Sequence, residues 1–538
     1  MSAFLSPSLD RVRDFQPLLV GLSLIFCYGL YRLLQVGRRD PRMPPGPPTL
    51  PIIGNLHQMP LTGMYKQFKT WGEQYNGIYS LKFGPTNFIV LYDRKAIHEL
   101  VDKKGTIYAD RPTSYVADLV TSSQSLVFSK YTPVIRSKRK IATHNLSVRR
   151  RPRKQLVVAD LVSRVTCLLN DLVQDPENFY KYVRRVTSSI ACILVFGQRG
   201  KTYENFWGHH RLTTRQFGEA LEPGANPPVD ELPILKYFPG RWKTRARHAA
   251  TVMHDIWTEA RDRVNERRAR GDHRQSLADR LLTEYSEKGG CPMSDHALTK
   301  LFGELVEGGA ETTSSSMLTM IFSVARNPWV QKKAQVEIDA LCGADRMPEW
   351  ADFDKLPYIN CIVKEGMRWR PAIATGIPHC VTEDDYYQGM LIPKDSTIFI
   401  PIWALHHSER YGYADPHAFN PDRYLNHPKL ANDYAGSPDH NQRDHYGYGA
   451  GRRMCPGIHL AERNQWRITA KILWAFEISE PTDPKTGEVL HLDPEAFTEG
   501  LLHAPKPYKV VLKPRSEAHV QTIKRHYADA LKVLAPYE

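Results

Sequence analysis

One cysteine in this chain stands in surroundings that suit a metal ligand. Cys455 lies in the run Tyr448-Gly-Ala-Gly-Arg-Arg-Met-Cys-Pro-Gly457. Glycines flank it, and the apolar spacing of Ile458 to Ile478 predicts a helix directly after it. Glycine lets the backbone turn tightly and lets a flat ligand come close. A thiol at a helix N-terminus has a lowered pKa, because the positive end of the helix favours the anion. Arg452 and Arg453 favour the anion further. A thiolate is a strong, soft ligand for iron, and its electron donation favours O–O cleavage in haem enzymes. Two other readings use the same thiol. One is an incidental buried cysteine, the other a zinc site completed by His445 or His459. Neither accounts for the spacing of the glycines and arginines.

A second constellation joins an acid to an alcohol. Leu298, Leu301, Phe302, Leu305, Val306 and Gly309 follow helical spacing, and Met317, Met320, Ile321 and Val324 resume it. This predicts a long buried helix, interrupted by Gly308-Gly-Ala-Glu-Thr-Thr313. Each glycine costs roughly 1 kcal/mol relative to alanine inside a helix. That cost in a core helix points to a kink where a bulky group comes close. Glu311 and Thr312 then stand in the same turn, suited to relaying protons. A plain polar stripe on the helix is the alternative. Further on, Leu356 to Trp369 reads as a helix with Glu365 and Arg368 on one face. As a surface pair these two would contribute little.

The elements that must hold these residues are mostly helical from about 60 to 515, with no internal repeat and no linker. Leu81 to Leu91 is rich in apolar and β-branched residues around Gly84-Pro85, which predicts a small hairpin. Met390 to Lys394 and Thr397 to Ile400 read as short strands, and Glu219 to Pro239, rich in Pro and Gly, as a loop. The 8 cysteines are scattered with no C-x-x-C pair, which argues against a structural zinc or a disulfide scaffold and fits a reducing compartment. A formal net charge of +14 raises the question of nucleic acid. No finger, basic-zipper or RNA-platform signature accompanies it, so an acidic partner or anionic lipid is the better match and no nucleic-acid partner is expected.

Pro17 to Leu34 is almost wholly apolar, with Arg32 near its end able to snorkel. It is expected to be a single transmembrane anchor, after a lead over 1–16. Arg32, Arg38, Arg39 and Arg42 follow it, and this excess of arginine predicts that the bulk of the protein faces the cytosol. Residues 35–60 contain Met43-Pro-Pro-Gly-Pro-Pro-Thr-Leu-Pro51, expected to be a stiff, extended hinge. At the other end, Ile523, Tyr527, Leu531 and Leu534 predict a helical extension over 516–538, packed on the body.

With these residues set out, the chain resembles the cytochrome P-450 family, of the eukaryotic microsomal and fungal type. Cysteine-ligated haem in that family is itself the standard illustration of the thiolate argument used above. The motifs that carry the resemblance occur in the family's order. They are Gly308-Gly-x-Glu-Thr-Thr313, Glu365-x-x-Arg368, Phe419-x-Pro-x-Arg-Tyr424 and the Cys455 loop. The resemblance spans roughly 17–515. It implies a mainly α fold with small β-sheets, the cytochrome P-450 fold, preceded by the transmembrane helix, with the haem-thiolate monooxygenase domain over 61–515. It further implies haem as cofactor, with Cys455 as axial ligand. Dioxygen would be the oxidant and NADPH, through a flavin reductase, the electron source. Thr312, helped by Glu311, would manage proton delivery. Glu365, Arg368 and Arg423 would form a buried structural triad. Arg453, His379 and Arg139 would hold the haem propionates.

The chain departs from the family at two places. Ile135 stands where the family usually has Trp, four residues before Arg139, so one propionate contact is missing. Tyr448 replaces the usual Phe at the start of the cysteine loop and keeps the aromatic packing. The basic run Arg149-Arg-Arg-Pro-Arg-Lys154, with Arg136, Lys138 and Lys140, reads either as a solvated loop or as the docking face for the reductase. The resemblance implies oxygen insertion into a small organic molecule, in secondary metabolite biosynthesis at the endoplasmic reticulum. Oxidative phenol or aryl coupling on the same fold is the alternative, and a membrane-tethered haem or ligand-binding protein without turnover is a third reading. Val116 to Phe128 and Arg211 to Leu232 are the expected substrate-contacting stretches, whose mixed character fits a mid-sized, moderately apolar molecule.

Overall fold

Apolar residues at helical spacing through most of the chain produce the expected mainly helical architecture, with three small sheets among the described residues. The computed structural model describes residues 7–147, 160–205, 217–221 and 225–538, with side chains of 7–18 and 160–164 not included.

The spine is the helix Asp295–Arg326, 32 residues long. Ser294 starts it, its hydroxyl accepting from the Ala297 N–H at 3.2 Å. The helix runs unbroken through Gly308-Gly309, so the expected interruption does not occur. It packs against Phe179–Phe196 on one side and Ile458–Ala475 on another. Gly303 allows the close approach of Arg241–Ala269: a Cβ there would lie 2.4 Å from the Trp257 ring. The buried apolar face of the downstream half, Met317, Leu318, Ile321 and Val324, joins Trp466, Ile472 and Trp474 in the largest core.

The predicted hairpin forms from β1 (Ile78–Phe83) and β2 (Thr86–Leu91), in register from Ile78↔Leu91 to Phe83↔Thr86. Gly84 makes the turn possible with φ +54°. In chain order β3 (His379–Cys380), β4 (Asp385–Tyr387), β5 (Met390–Ile392) and β6 (Thr397–Phe399) follow. One sheet has the order β1-β2-β6-β3, with β2 and β6 parallel. The helix after Cys455 ends at Ala475, earlier than its apolar run. Phe476 and Ile478 are buried while Glu477 and Ser479 are exposed, a period of two that makes this stretch β7 (Phe476–Ser479), paired with β8 (Val511–Pro514).

The Pro-rich segment is pinned to the sheet. The Ser80 N–H donates to the Pro45 carbonyl at 2.8 Å, and its hydroxyl to Pro44 at 2.5 Å. The Arg39 guanidinium caps the carbonyls of Gly46, Pro47 and Ser80. Before it, Pro7–Gln35 is helical, with Leu24, Ile25 and Phe26 exposed. Among the described residues, no helix is long and apolar enough to cross a membrane. The transmembrane helix expected over 17–34 therefore has no support among them; the described side chains of that helix start only at residue 19.

The extension is the helix Glu517–Leu534, docked on Asp160–Gln174. Ile523, Ala530 and Leu534 are buried, whereas Leu531 is exposed. Its end is tied down: the Arg199 N–H donates to the Tyr537 carbonyl at 2.7 Å and its guanidinium pairs with Glu538 at 2.7 Å.

Candidate functional site

The cysteine loop is held from both sides. Gly449 and Gly451 have φ +76° and +61°, backbone conformations that L side chains rarely adopt. The Gly451 N–H donates to Asp102 at 2.7 Å, and the Cys455 N–H to the Tyr448 carbonyl at 2.9 Å. Cys455 is half-buried just ahead of the helix Ile458–Ala475. Burial pushes its thiol up, and the Gly457 N–H and Arg139 only partly oppose this. The sequence expectation of a thiol lowered by the helix end and by Arg452 and Arg453 is therefore corrected. Arg452 is exposed, and the Arg453 guanidinium is occupied elsewhere. A metal ion, by replacing the proton, makes such a thiol a thiolate outright.

The Arg453 guanidinium points under the segment before the helix Pro133–Leu146, donating to the carbonyls of Ala109 (3.2 Å), Leu126 (2.9 Å) and Ser129 (3.2 Å). Its Nε is buried without a hydrogen-bond partner. Arg139, on that helix, donates to the Met454 carbonyl at 2.6 Å. The ring of His379, at the end of β3, donates from Nδ1 to the Tyr108 carbonyl at 2.8 Å. Burial, then the charge of Arg111, holds this histidine well below its usual range, with Arg453 and Arg139 adding to the effect. Arg111 is a member of the group that the sequence reading missed. Its guanidinium donates to Pro378 at 2.7 Å and Ile377 at 3.0 Å, and its Nε to Val127 at 2.8 Å. It sits in Ala-Asp-Arg-Pro between elements, where no periodicity marks it. Arg111, Arg139 and Arg453 thus crowd positive charge around the cysteine loop, with a neutral His379 among them and Asp110 and Glu304 as the nearby acids. This surplus, with an orphaned Arg453 Nε, fits a ligand that carries carboxylates.

The spine helix supplies room. Gly308 and Gly309 are exposed although Val306 and Ala310 are fully buried. A Cβ on Gly308 would meet nothing within 4 Å, and one on Gly309 only the Ala191 methyl, at 3.6 Å. The Thr312 hydroxyl donates to the Gly308 carbonyl at 2.6 Å, and Glu311 is partly exposed beside it. The glycines act by leaving space beside a straight helix, so no kink is involved. Val116, Val120 and Leu126 pack into the same apolar cluster as Phe302, Val306 and Ala310. Tyr115 N–H donates to Asp230 at 3.0 Å, and the Phe128 ring lies tilted against that of Phe217 with centroids 5.9 Å apart, which brings the expected substrate stretches together. Residues 211–216 and 222–224 of the second stretch lie outside the described residues.

The triad is assembled in the frame, between the helix Pro357–Trp369 and the loop that carries Arg423. Arg368 pairs with Glu365 at 2.7 Å, and Arg423 approaches Glu365 at 3.5 Å. Among the residues read as a docking face, Lys138 is fully buried. Its ammonium donates to the Gln124 carbonyl at 2.5 Å and lies 3.6 Å from Glu304, so it faces inward. Arg136 and Lys140 are exposed, and Arg149–Lys154 lies outside the described residues. Ile135 is buried in the apolar interior.

A half-buried thiol on a glycine loop, a cationic group around it and an open glycine stretch on a core helix define a haem-thiolate class of protein. The family model described as Cytochrome P450 matches residues 44–512, and the chain belongs to the cytochrome P450 family. It is similar to cytochrome P450 monooxygenase acuD of Aspergillus aculeatus, 39% identical over 515 residues, covering 95% of this chain and 96% of that protein. It is also similar to monooxygenase patI of Penicillium expansum, 40% identical, with 94% and 95% covered. Monooxygenase yanC of Aspergillus niger is 37% identical, with 96% and 97% covered. The chain is thus an oxidoreductase of the monooxygenase type, a family that uses haem on a cysteine thiolate, dioxygen and electrons from a reductase.

Proposed function

We propose that Cys455 is the axial ligand of the haem iron and that the chain oxidises a small, moderately apolar molecule in fungal secondary metabolism. The observation that carries the reading is the convergence of Cys455 with Arg111, Arg139, His379 and Arg453, three arginines that Asp110 and Glu304 only partly offset. Iron protoporphyrin held there supplies the two-electron activation of dioxygen for which a thiolate ligand is suited. Arg139, Arg453 and His379, with Arg111, hold its carboxylates. Gly308 and Gly309 leave the face of the helix low enough for substrate and oxygen. The Thr312 hydroxyl, released from the Gly308 carbonyl, hands on a proton that Glu311 restores. Val116, Val120 and Leu126 exclude water from the chamber, and their apolar character fits the proposed substrate.

NADPH is the proposed electron source, through a flavin reductase that docks on the basic surface including Arg136 and Lys140. The enzyme is proposed to sit at the endoplasmic reticulum membrane, its catalytic domain facing the cytosol, anchored through 17–34. The exposed apolar side chains Leu24, Ile25 and Phe26 support contact with lipid, as do Ile234, Tyr237 and Phe238 on a separate loop. The fungal origin of its relatives supports the metabolic assignment.

Cys455→Ala tests the central claim. The variant is expected to lose activity and the thiolate-type absorption of the reduced carbonyl complex; survival of that absorption overturns the assignment. Microsomes supplied with candidate metabolites and labelled oxygen then separate the chemistries by mass spectrometry. Label in the product supports insertion, whereas an unlabelled dimer makes the chain a coupling enzyme.

A further inference from the structure

Ahead of Glu311, the spine helix repeats a titratable side chain at nearly every turn. His296, Lys300, Glu304, Glu307 and Glu311 follow one another at intervals of four, four, three and four residues. Residues three and four apart share a helix face, with Cβ atoms about 5–6 Å apart. The file therefore runs along one side of the helix, from its first turn to the Glu311–Thr312 pair. Charges on a packed helix face are costly unless each is paired or neutralised. Lys300 is buried, Glu304 is nearly so and Glu307 is half-buried.

Neighbouring elements meet the file with groups that hold it without saturating it. From Pro133–Leu146, Lys138 approaches the Glu304 Oε2 at 3.6 Å, and that oxygen accepts no hydrogen bond. The Leu126 N–H donates to the other Glu304 oxygen at 2.8 Å, beside the Ser125 hydroxyl. From Arg241–Ala269, the Trp257 indole donates to Glu307 at 2.7 Å. His254 on the same helix is exposed, and its ring lies 5.5 Å from that of His296, so the file opens on the surface there. The members feel each other's charge in sequence: His296 with Lys300, Lys300 with Glu304 and Glu307, Glu304 with Glu307. Burial pushes Glu307 up to about 8, with the Trp257 hydrogen bond opposing it, so its carboxyl holds a proton at neutral pH.

We propose that this file carries protons from the surface at His254 and His296 to Glu311 and Thr312. The inference rests on the monooxygenase reading, because that reaction has a demand for protons. Per dioxygen it takes up two electrons from the reductase and two protons. One oxygen atom enters the substrate and the other leaves as water. For each proton used, the Glu307 O–H passes its proton to the Glu311 carboxylate. Glu307 is restored from Glu304 or from the Lys300 ammonium, these from His296, and His296 from water. Over a cycle no member changes its protonation. Glu307 acts through Glu311, as a relay and positioning residue.

The test uses the full-length holoenzyme with an NADPH-dependent flavin reductase and no added organic substrate. NADPH-driven oxygen consumption is followed in H2O and D2O. Glu307→Gln keeps an acceptor for Trp257 but cannot pass on a proton. It is expected to keep its haem and its fold, to consume oxygen several-fold more slowly and to show a larger solvent isotope effect. Independently of turnover, the infrared carbonyl band of a protonated carboxyl at neutral pH should be present in the wild type and lost in the variant. Lys300→Met should slow oxygen consumption in the same sense, and it replaces Glu307→Gln should that variant lose haem. A variant matching a working wild type in rate and isotope effect overturns the file alone, as does absence of the infrared band. A wild type whose reduced form lacks the thiolate-type absorption with carbon monoxide overturns the monooxygenase reading and the file with it.

Discussion

Two charge clusters in this molecule each pair a glutamate with basic side chains, arginines in one and lysine in the other, and differ in how completely the carboxylate is satisfied. In the frame, all five N–H donors of Arg368 are used: on both Glu365 oxygens and on the carbonyls of His406, Pro416 and Ala418, at 2.7–3.0 Å. Glu365 also accepts from the Asn420 N–H at 2.7 Å. Beside the chamber, Glu304 leaves an oxygen without a hydrogen bond and keeps its lysine at 3.6 Å. A saturated cluster has one protonation state and one geometry, which suits a scaffold. A loosely satisfied one can exchange a proton at small cost, which suits traffic. Counting charges would not separate the two; what does is where the unfilled hydrogen bond falls, on the outlying Arg423 Nε in the frame and on the carboxylate itself at Glu304.

The largest effect expected from this contrast is at Arg368. Arg368→Met leaves Glu365 charged and buried, an imbalance of about 3–5 kcal/mol. It also orphans the carbonyls of a whole loop, 406–418. The variant should yield protein without haem, read as haem absorbance per protein. Arg368→Lys should fare little better, since one ammonium cannot replace a planar fork of donors. Haem-loaded protein of normal stability from either variant would remove the distinction between the clusters.

A smaller effect is expected at the looser pair. Lys138→Met strands Glu304 beside the Leu126 N–H and should cost up to about 3 kcal/mol. The paired change Lys138→Met with Glu304→Leu should recover much of that loss, because apolar groups fill the same volume without a charge to satisfy. Unfolding midpoints of the single and double variants provide the readout. A double variant as unstable as the single one would place this pair in the scaffold with the triad.

Much of the site was legible because its signals are local. The glycines around Cys455, the Gly308-Gly309 step before Glu311 and Thr312, and the i, i+3 pair Glu365–Arg368 are all visible as spacing. So was the hairpin at Gly84-Pro85, where composition and turn chemistry agree. What failed depended on the third dimension. Lys138 sits among basic neighbours in the chain, but Arg136 and Lys140 share the outer face of a helix while Lys138, on the other side, turns inward. Arg111 has no periodic context, and its role comes from loops more than 200 residues away in sequence, since Pro378 is 267 residues distant. Phe476 and Ile478 fit a helical run as well as a strand, and pairing with Val511–Pro514 decides between them. The Cys455 thiol illustrates the same limit: the helix start is visible in sequence, whereas the desolvation that outweighs it is not.

The smallest effect sharpens the contrast from the side of Glu307. Its ordinary value is 4.5 and its folded value is raised to about 8. Below 4.5 both folded and unfolded chains hold the proton, and the group contributes no pH dependence. Between 4.5 and about 8 the unfolded chain has released it while the folded chain keeps it, so stability falls as pH rises. Above that window both are ionised and the loss levels off. A full shift would cost about 1.36 kcal/mol per pH unit, and the partial exposure of the side chain reduces the total to on the order of 2 kcal/mol. Glu307→Gln removes the term while the other titrating groups cancel in the comparison. The variant should therefore gain stability relative to the wild type as pH is raised from 5 to 8, measured as the difference between their thermal midpoints. The matching comparison at Lys300→Met should show the gap widening too, because the ammonium that helps Glu307 ionise is gone. A difference between wild type and Glu307→Gln that stays flat across that window would mean Glu307 is ionised in the folded protein. It would then be an anchored charge like Glu365, with no proton to pass along the helix.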